Sequence, residues 1–178
     1  NIMENKVLNW CFKIKDGLKI VEPNENLSKS YLDQAKSSLL RAEKDFNEKD
    51  FLWATVAIYY AEYYALYSFL QKIGIKCENH TCSILAVTLL LGNEKTKIIN
   101  QHKDKRIDAQ YYIKVDQEDK IKIMLQEAKK FVSEFDNFVS ILDSKEIKTY
   151  RALIKKYRVL WMSEWYILAL YAAAFATF

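Results

Sequence analysis

The stretch FLWATVAIYYAEYYALYSFLQ, residues 51–71, carries a single charge, Glu62. Wound as a helix it is apolar on nearly every side, so it has to be enclosed by other elements. The chain supplies those elements as further helices. Three glycines (Gly17, Gly74, Gly92) and one proline (Pro23) in 178 residues leave little material for the tight turns of a β fold. The expected fold is all-α: an up-and-down antiparallel bundle of about five helices with residues 51–71 at its centre. The length suits one compact domain and is too short for two ordinary ones.

The surrounding helices follow from hydrophobic spacing. Val7, Leu8, Cys11, Ile14 and Leu18 mark a first helix, ended by the Gly17 and Pro23 region. Leu27, Tyr31, Ala35, Leu39, Ala42 and Phe46 recur every three or four residues and mark an amphipathic helix capped by Asn26 or Ser28. Asp50 caps the central helix, and Gly74 ends it. NHTCSILAVTLLLGN is a shorter helix opened by Asn79 or Thr81 and closed at Gly92-Asn93. Residues 95–113 are only weakly periodic. Asp116 then caps a long helix with Ile121, Leu125, Ala128, Phe131, Phe135, Phe138 and Leu142 on one face, and Ile147, Tyr150, Ile154 and Tyr157 continue the pattern.

Charge excludes one class of function. A net +4 is too small for a histone-like coat of nucleic acid, and the basic character is local: residues 145–158 hold six Lys or Arg against Glu146 alone. Three cysteines (Cys11, Cys77, Cys82), an odd number, with no signal-peptide pattern, predict reduced thiols in a cytoplasmic protein. Cys77, His80 and Cys82 in CENHTC lack the second ligand pair of a structural zinc site, so this segment reads as a helix-start loop with His80 anchoring the turn, and no metal or cofactor is expected.

Two features inside the apolar helix invite a functional reading. Tyr59, Tyr60, Tyr63, Tyr64 and Tyr67 read first as packing, with a base-stacking platform as the alternative. Glu62 either lies on a narrow polar stripe or faces a cleft and pairs with an arginine, for which Arg106 is the candidate. Arg106 itself sits in a locally basic stretch, residues 94–114, that suits phosphate contacts.

Three blocks in order then resemble one family. Tyr59, Tyr60, Ala61, Tyr63 and Ala65, followed by Gly74 and His80, followed by Arg106, Ala109 and Tyr111, are similar to the pattern of stand-alone prokaryotic HEPN domains, from about Leu27 to Leu142. The resemblance implies a symmetric homodimer with Arg106 facing a cleft. It also implies a partnership with a small nucleotidyltransferase, in a toxin–antitoxin-like pair, and binding of RNA or a nucleotide. Arg106, Lys105, Asp108, Tyr111, Tyr112 and Glu62 are the binding residues it suggests. Relatives that cleave RNA without metal have four to six residues between the arginine and a histidine; here, past four residues, Tyr111 stands there, and Gln110 replaces the family's aspartate. Binding is therefore the first expectation. A ribonuclease using Arg106 with His102 or Tyr111 is the alternative, His102 lying one helical turn before Arg106.

Residues 159–178 change regime: no lysine or arginine, five alanines and Glu164 as the only charge. Preceded by Lys155, Lys156 and Arg158, they form a tail apart from the domain of residues 1–158. The tail reads as a docked helix, a membrane anchor or an appended segment.

Overall fold

The structure, a computed structural model, describes residues 2–158, with side chains from residue 8 onward. The apolar tail of residues 159–178 lies outside the described residues.

Among the described residues, seven α-helices follow one another: α1 (Ile2–Lys13), α2 (Glu25–Asn47), α3 (Phe51–Lys72), α4 (His80–Leu91), α5 (Lys97–Tyr112), α6 (Glu118–Ile141) and α7 over residues 144–158. The all-α bundle expected from the sequence is what forms, with two helices more than anticipated. A small antiparallel pair, β1 (Lys19–Ile20) with β2 (Ile75–Lys76), joins the two loops at one end of the bundle.

The apolar segment is α3, and it is central. Ala54, Ile58, Tyr59, Ala61, Glu62, Ala65, Leu66, Phe69 and Leu70 are all fully buried, because α2, α5 and α6 pack around it. α2 returns antiparallel to α3: Glu25 at the start of α2 meets Lys72 at the end of α3. α6 runs antiparallel to α2, as Lys36–Asp136 and Lys129–Glu43 show. Two core clusters result. The larger surrounds Leu66, Phe69, Val132, Phe135 and Ile154; the smaller is Ala42, Ala54, Ile58, Ile121, Met124, Leu125 and Ala128.

The ends are fixed by local chemistry. Asp50 Oδ1 accepts from Trp53 N at 3.2 Å and Asn79 Oδ1 from Cys82 N at 3.0 Å, both as expected. The cap of α2 is Asn24, whose Oδ1 accepts from Leu27 N, so Asn26 and Ser28 are already inside the helix. Asp116 does not cap α6. Its carboxylate instead pairs with Lys105 at 2.8 Å, which also holds it below the usual carboxylate range. α7 opens with a reciprocal box: Asp143 Oδ1 accepts from Glu146 N while Glu146 Oε2 accepts from Asp143 N.

Gly74 closes α3 at φ +71, and there any side chain would collide: a Cβ would lie 2.0 Å from Arg151 Nη1 and 2.5 Å from Val21 O. Arg151 uses that space. From α7 it donates to Val21 O (2.7 Å) and Ile73 O (2.8 Å), tying the terminus of α3 and the loop before α2 to the end of the domain.

The weakly periodic stretch of residues 95–113 forms the continuous helix α5, preceded by a 3-10 turn over Asn93–Lys95. The expectation of reduced thiols is overturned. Cys11 and Cys82 are joined in a disulfide that links α1 to α4, so only Cys77 remains a free thiol. An odd cysteine count cannot show that packing brings two of the three Cα atoms to 5.5 Å. Among the described residues, no helix is long and apolar enough to cross a membrane.

Candidate functional site

α5 runs antiparallel against α3, so each turn of one meets a turn of the other. His102 stands opposite Glu62, and Arg106, one turn on, stands opposite Tyr59 and Tyr60. The weak periodicity of α5 now has a physical cause. Its inward positions are Ile99, His102, Arg106 and Ala109, and two of the four are polar.

The first turn carries a buried acid–base pair. Glu62 is 0% exposed, and its Oε1 lies 2.8 Å from His102 Nδ1; the other ring nitrogen, Nε2, lies 3.2 Å from Glu127 of α6. Burial pushes Glu62 up, with His102 pulling the other way. Burial also opposes a charged His102, but the hydrogen bond and charge of Glu62, with Glu127 behind them, outweigh it and raise that imidazole. The expected Glu62–Arg106 pair is therefore replaced by Glu62–His102, and both nitrogens of His102 are engaged by carboxylates.

The next turn carries the arginine. Arg106 Cζ lies 4.9 Å from the Tyr59 ring centre and 5.6 Å from that of Tyr60, both within cation–π range. Among the described residues, no carboxylate reaches its guanidinium within ion-pair distance, and its Nε is buried without a hydrogen-bond partner. The guanidinium also hydrogen-bonds the Tyr59 phenol, so Arg106 is held by aromatic side chains and not by a carboxylate.

His80 joins this group from α4, and sequence reasoning had given it only the turn. Its Nδ1 lies 2.7 Å from the Tyr59 hydroxyl, and its ring stacks on Tyr63 with centres 3.8 Å apart. Burial lowers its pKa to about 4, and the charges of Arg106 and then Lys103 add to this. Burial likewise pushes the phenol of Tyr59 up, against the pull of Arg106. At neutral pH both are uncharged, one donating to the other. The sequence signal for His80 was its place in the Gly74–His80 block, which named the residue but not its neighbour. Cys82, its companion in CENHTC, is committed to the disulfide and is lost as a metal ligand.

The remaining predicted residues lie elsewhere. Lys105 turns to Asp116. Tyr111 and Tyr112 are 66% and 64% exposed at the end of α5, beyond the aromatic cradle. Asp108 is half-buried, and its backbone carbonyl accepts from Lys114 N where the helix stops. The structure thus brings together Arg106, Tyr59, Tyr60 and His80, with Glu62 and His102 one turn below, and leaves the two tyrosines outside.

No curated protein and no solved structure matches the chain. The model of the HEPN domain matches residues 28–145, well over half of the 178. That span runs from α2 into the start of α7 and includes the whole arrangement around Arg106. The chain belongs to the HEPN domain family, and at the level of that family it is a nucleotide- or RNA-related helical module.

Proposed function

We propose that the chain is the binding module of a HEPN–nucleotidyltransferase pair of toxin–antitoxin type, acting as a homodimer and using Arg106 to hold a phosphate of RNA or a nucleotide. The carrying observation is the state of Arg106: on the rings of Tyr59 and Tyr60, without a carboxylate, with an unused buried donor. Arginine is suited to phosphate because its planar fork gives two parallel N–H donors.

Binding is favoured over cleavage by the neighbouring histidines. His102 has both nitrogens occupied, and His80, with a pKa lowered to about 4, is a weak general base at neutral pH. The test is fluorescence anisotropy of a labelled single-stranded RNA in EDTA, with wild type and Arg106→Gln. Wild type should bind and leave the RNA intact. The variant should bind at least about tenfold more weakly, with the slope of log affinity against log salt reduced by about one. Equal affinities and equal slopes would refute a phosphate contact at Arg106.

A further inference from the structure

The inner face of α7 is taken up by packing: Ile154 is fully buried, and Ile147, Tyr150 and Tyr157 lie half-buried against the larger core. The outer face is cationic. Lys145, Lys148, Lys155 and Lys156 are exposed, and their spacing puts them in one stripe opposite Ile154; Arg158, also exposed, follows in the last turn. Elsewhere exposed lysines meet carboxylates from other segments, as Lys36 meets Asp136, Lys129 meets Glu43 and Lys49 meets Glu118. Among the described residues, none of the five α7 cations has an ion pair, and Glu146 is turned to the helix start, where it accepts from Asp143 N. Like charges along one helix face repel, so the stripe lowers the stability of the isolated chain.

The β1–β2 ribbon repeats the pattern. Its register sets Lys19 directly opposite Lys76, and both are exposed. A like-charge pair across two strands is destabilising. Glu78 pairs with Lys76 at 3.0 Å and is held below the usual carboxylate range by Lys76, with Lys19 and Lys15 adding to the effect, so one carboxylate answers three lysines. Arg151 joins the two basic regions. It donates to Val21 O and Gly74 O at the end of the ribbon, while Lys148 and Lys155 stand one turn before and one turn after it on α7. Lys19 and Lys76 lie two residues further along the ribbon, on the order of 7 Å away.

The shape of this charge selects its partner. From Lys145 to Lys156 the stripe runs about 17 Å along the helix axis, too long for a single phosphate and suited to an extended polyanion. A bilayer fits poorly, because an interfacial helix lays its apolar face into the lipid and that of α7 is already buried; Leu153, 39% exposed, is the one large apolar side chain of the helix left outside. An RNA strand fits both the charge and the nucleotide- or RNA-related family to which the domain belongs. The family match ends at residue 145, so α7 is almost wholly an addition to what the family shares.

We infer that α7 and the β1–β2 ribbon form a second contact surface, one that holds the phosphate backbone of single-stranded RNA without reading its sequence. The surface is separate from Arg106. That guanidinium rests on Tyr59 and Tyr60, whereas Arg151 meets Ile73, about 20 Å further along the axis of α3.

The test is the salt dependence of affinity for two labelled single-stranded RNAs of unrelated sequence. The full chain is compared with a variant carrying Lys145→Gln, Lys148→Gln, Lys155→Gln and Lys156→Gln, with its Lys→Arg counterpart, and with Arg106→Gln. The four lysines are exposed and unpaired, so the glutamine variant should unfold at the wild-type temperature or above it. It should bind both RNAs at least about tenfold more weakly at low salt, with the slope of log affinity against log salt reduced by about 3. The arginine counterpart should bind as wild type does. A glutamine variant with the wild-type slope overturns the surface; if Arg106→Gln alone weakens binding, the phosphate reading of Arg106 still stands. Loss with the glutamine variant but none with Arg106→Gln supports the surface and overturns the reading of Arg106. A loss confined to one of the two RNAs overturns a contact that ignores sequence. Wild type that binds neither RNA overturns the inference, and co-sedimentation with phosphatidylserine–phosphatidylcholine vesicles in that case would assign the stripe to a membrane surface instead.

Discussion

His80 shows how far one side chain's chemistry depends on neighbours from other elements. It reaches Tyr59 and Tyr63 of α3, and it feels Arg106 and Lys103 of α5. An imidazole free in water titrates near 6.5, while burial and these two cations lower His80 to about 4. Between those values the unfolded chain binds a proton that the folded chain refuses. The contribution of His80 to stability is therefore complete above about pH 6.5 and is lost as pH falls towards 4. His102 acts in the opposite sense. Its pKa is raised, so its contribution is complete below about 6.5 and is lost as pH rises through its folded value. With only two histidines in the chain, NMR can follow both, using His80→Gln for assignment. The His80 ring should titrate near pH 4, and unfolding midpoints of His80→Gln should fall less than those of wild type between pH 6.5 and 4. A His80 midpoint near 6.5 would show that the Tyr59–His80–Arg106 cluster is open in solution.

At the scale of helices, the legible parts were those with a clean pattern. α3 could be read from its lack of charge, α6 from the spacing of its phenylalanines, and Asp50, Gly74 and Asn79 from the stereochemistry of helix ends. α5 could not be read this way, because His102 and Arg106 occupy two of its inward positions and erase the apolar period on which such reading depends. That failure itself points to the site: a helix that buries polar groups has a reason beyond packing. The Glu62 partner was misassigned for a related cause. Arg106 and His102 share a face, and only the antiparallel register of α5 on α3 decides which of them meets Glu62. The disulfide was equally illegible, since it depends on α1 docking against α4. It has a direct consequence. Denatured without reductant, the protein should release one reactive thiol per chain, that of Cys77, and three after reduction. Because the bridge spans 71 residues of sequence, reducing it should cost about 4 kcal/mol of stability. Three thiols before reduction would mean that α1 is held by packing alone.

At the scale of the molecule, the end of α5 gathers consecutive exposed apolar side chains among the described residues. Tyr111, Tyr112 and Ile113 are each roughly two-thirds exposed, and Val115 follows at 37%. Ile113 also ends α5 in the left-handed region, φ 55 and ψ 27, where a β-branched residue is strained and glycine or asparagine is the usual occupant. A chain that places an exposed, strained isoleucine after two exposed tyrosines gains from that corner only if something covers it. The homodimer proposed for this domain supplies a cover, and the corner belongs to the same helix as Arg106, so two copies meeting there would bring their arginines towards a common axis. Sedimentation of wild type should then give twice the 21.0 kDa chain mass. Replacing both Tyr112 and Ile113, as Tyr112→Lys with Ile113→Gly, removes apolar contact and relieves the strain within the single chain. The variant should sediment as a monomer while unfolding no earlier than wild type at dilutions where both are monomeric. A variant that remains dimeric would place the interface on another face, and a monomeric wild type would leave the exposed corner for the partner protein.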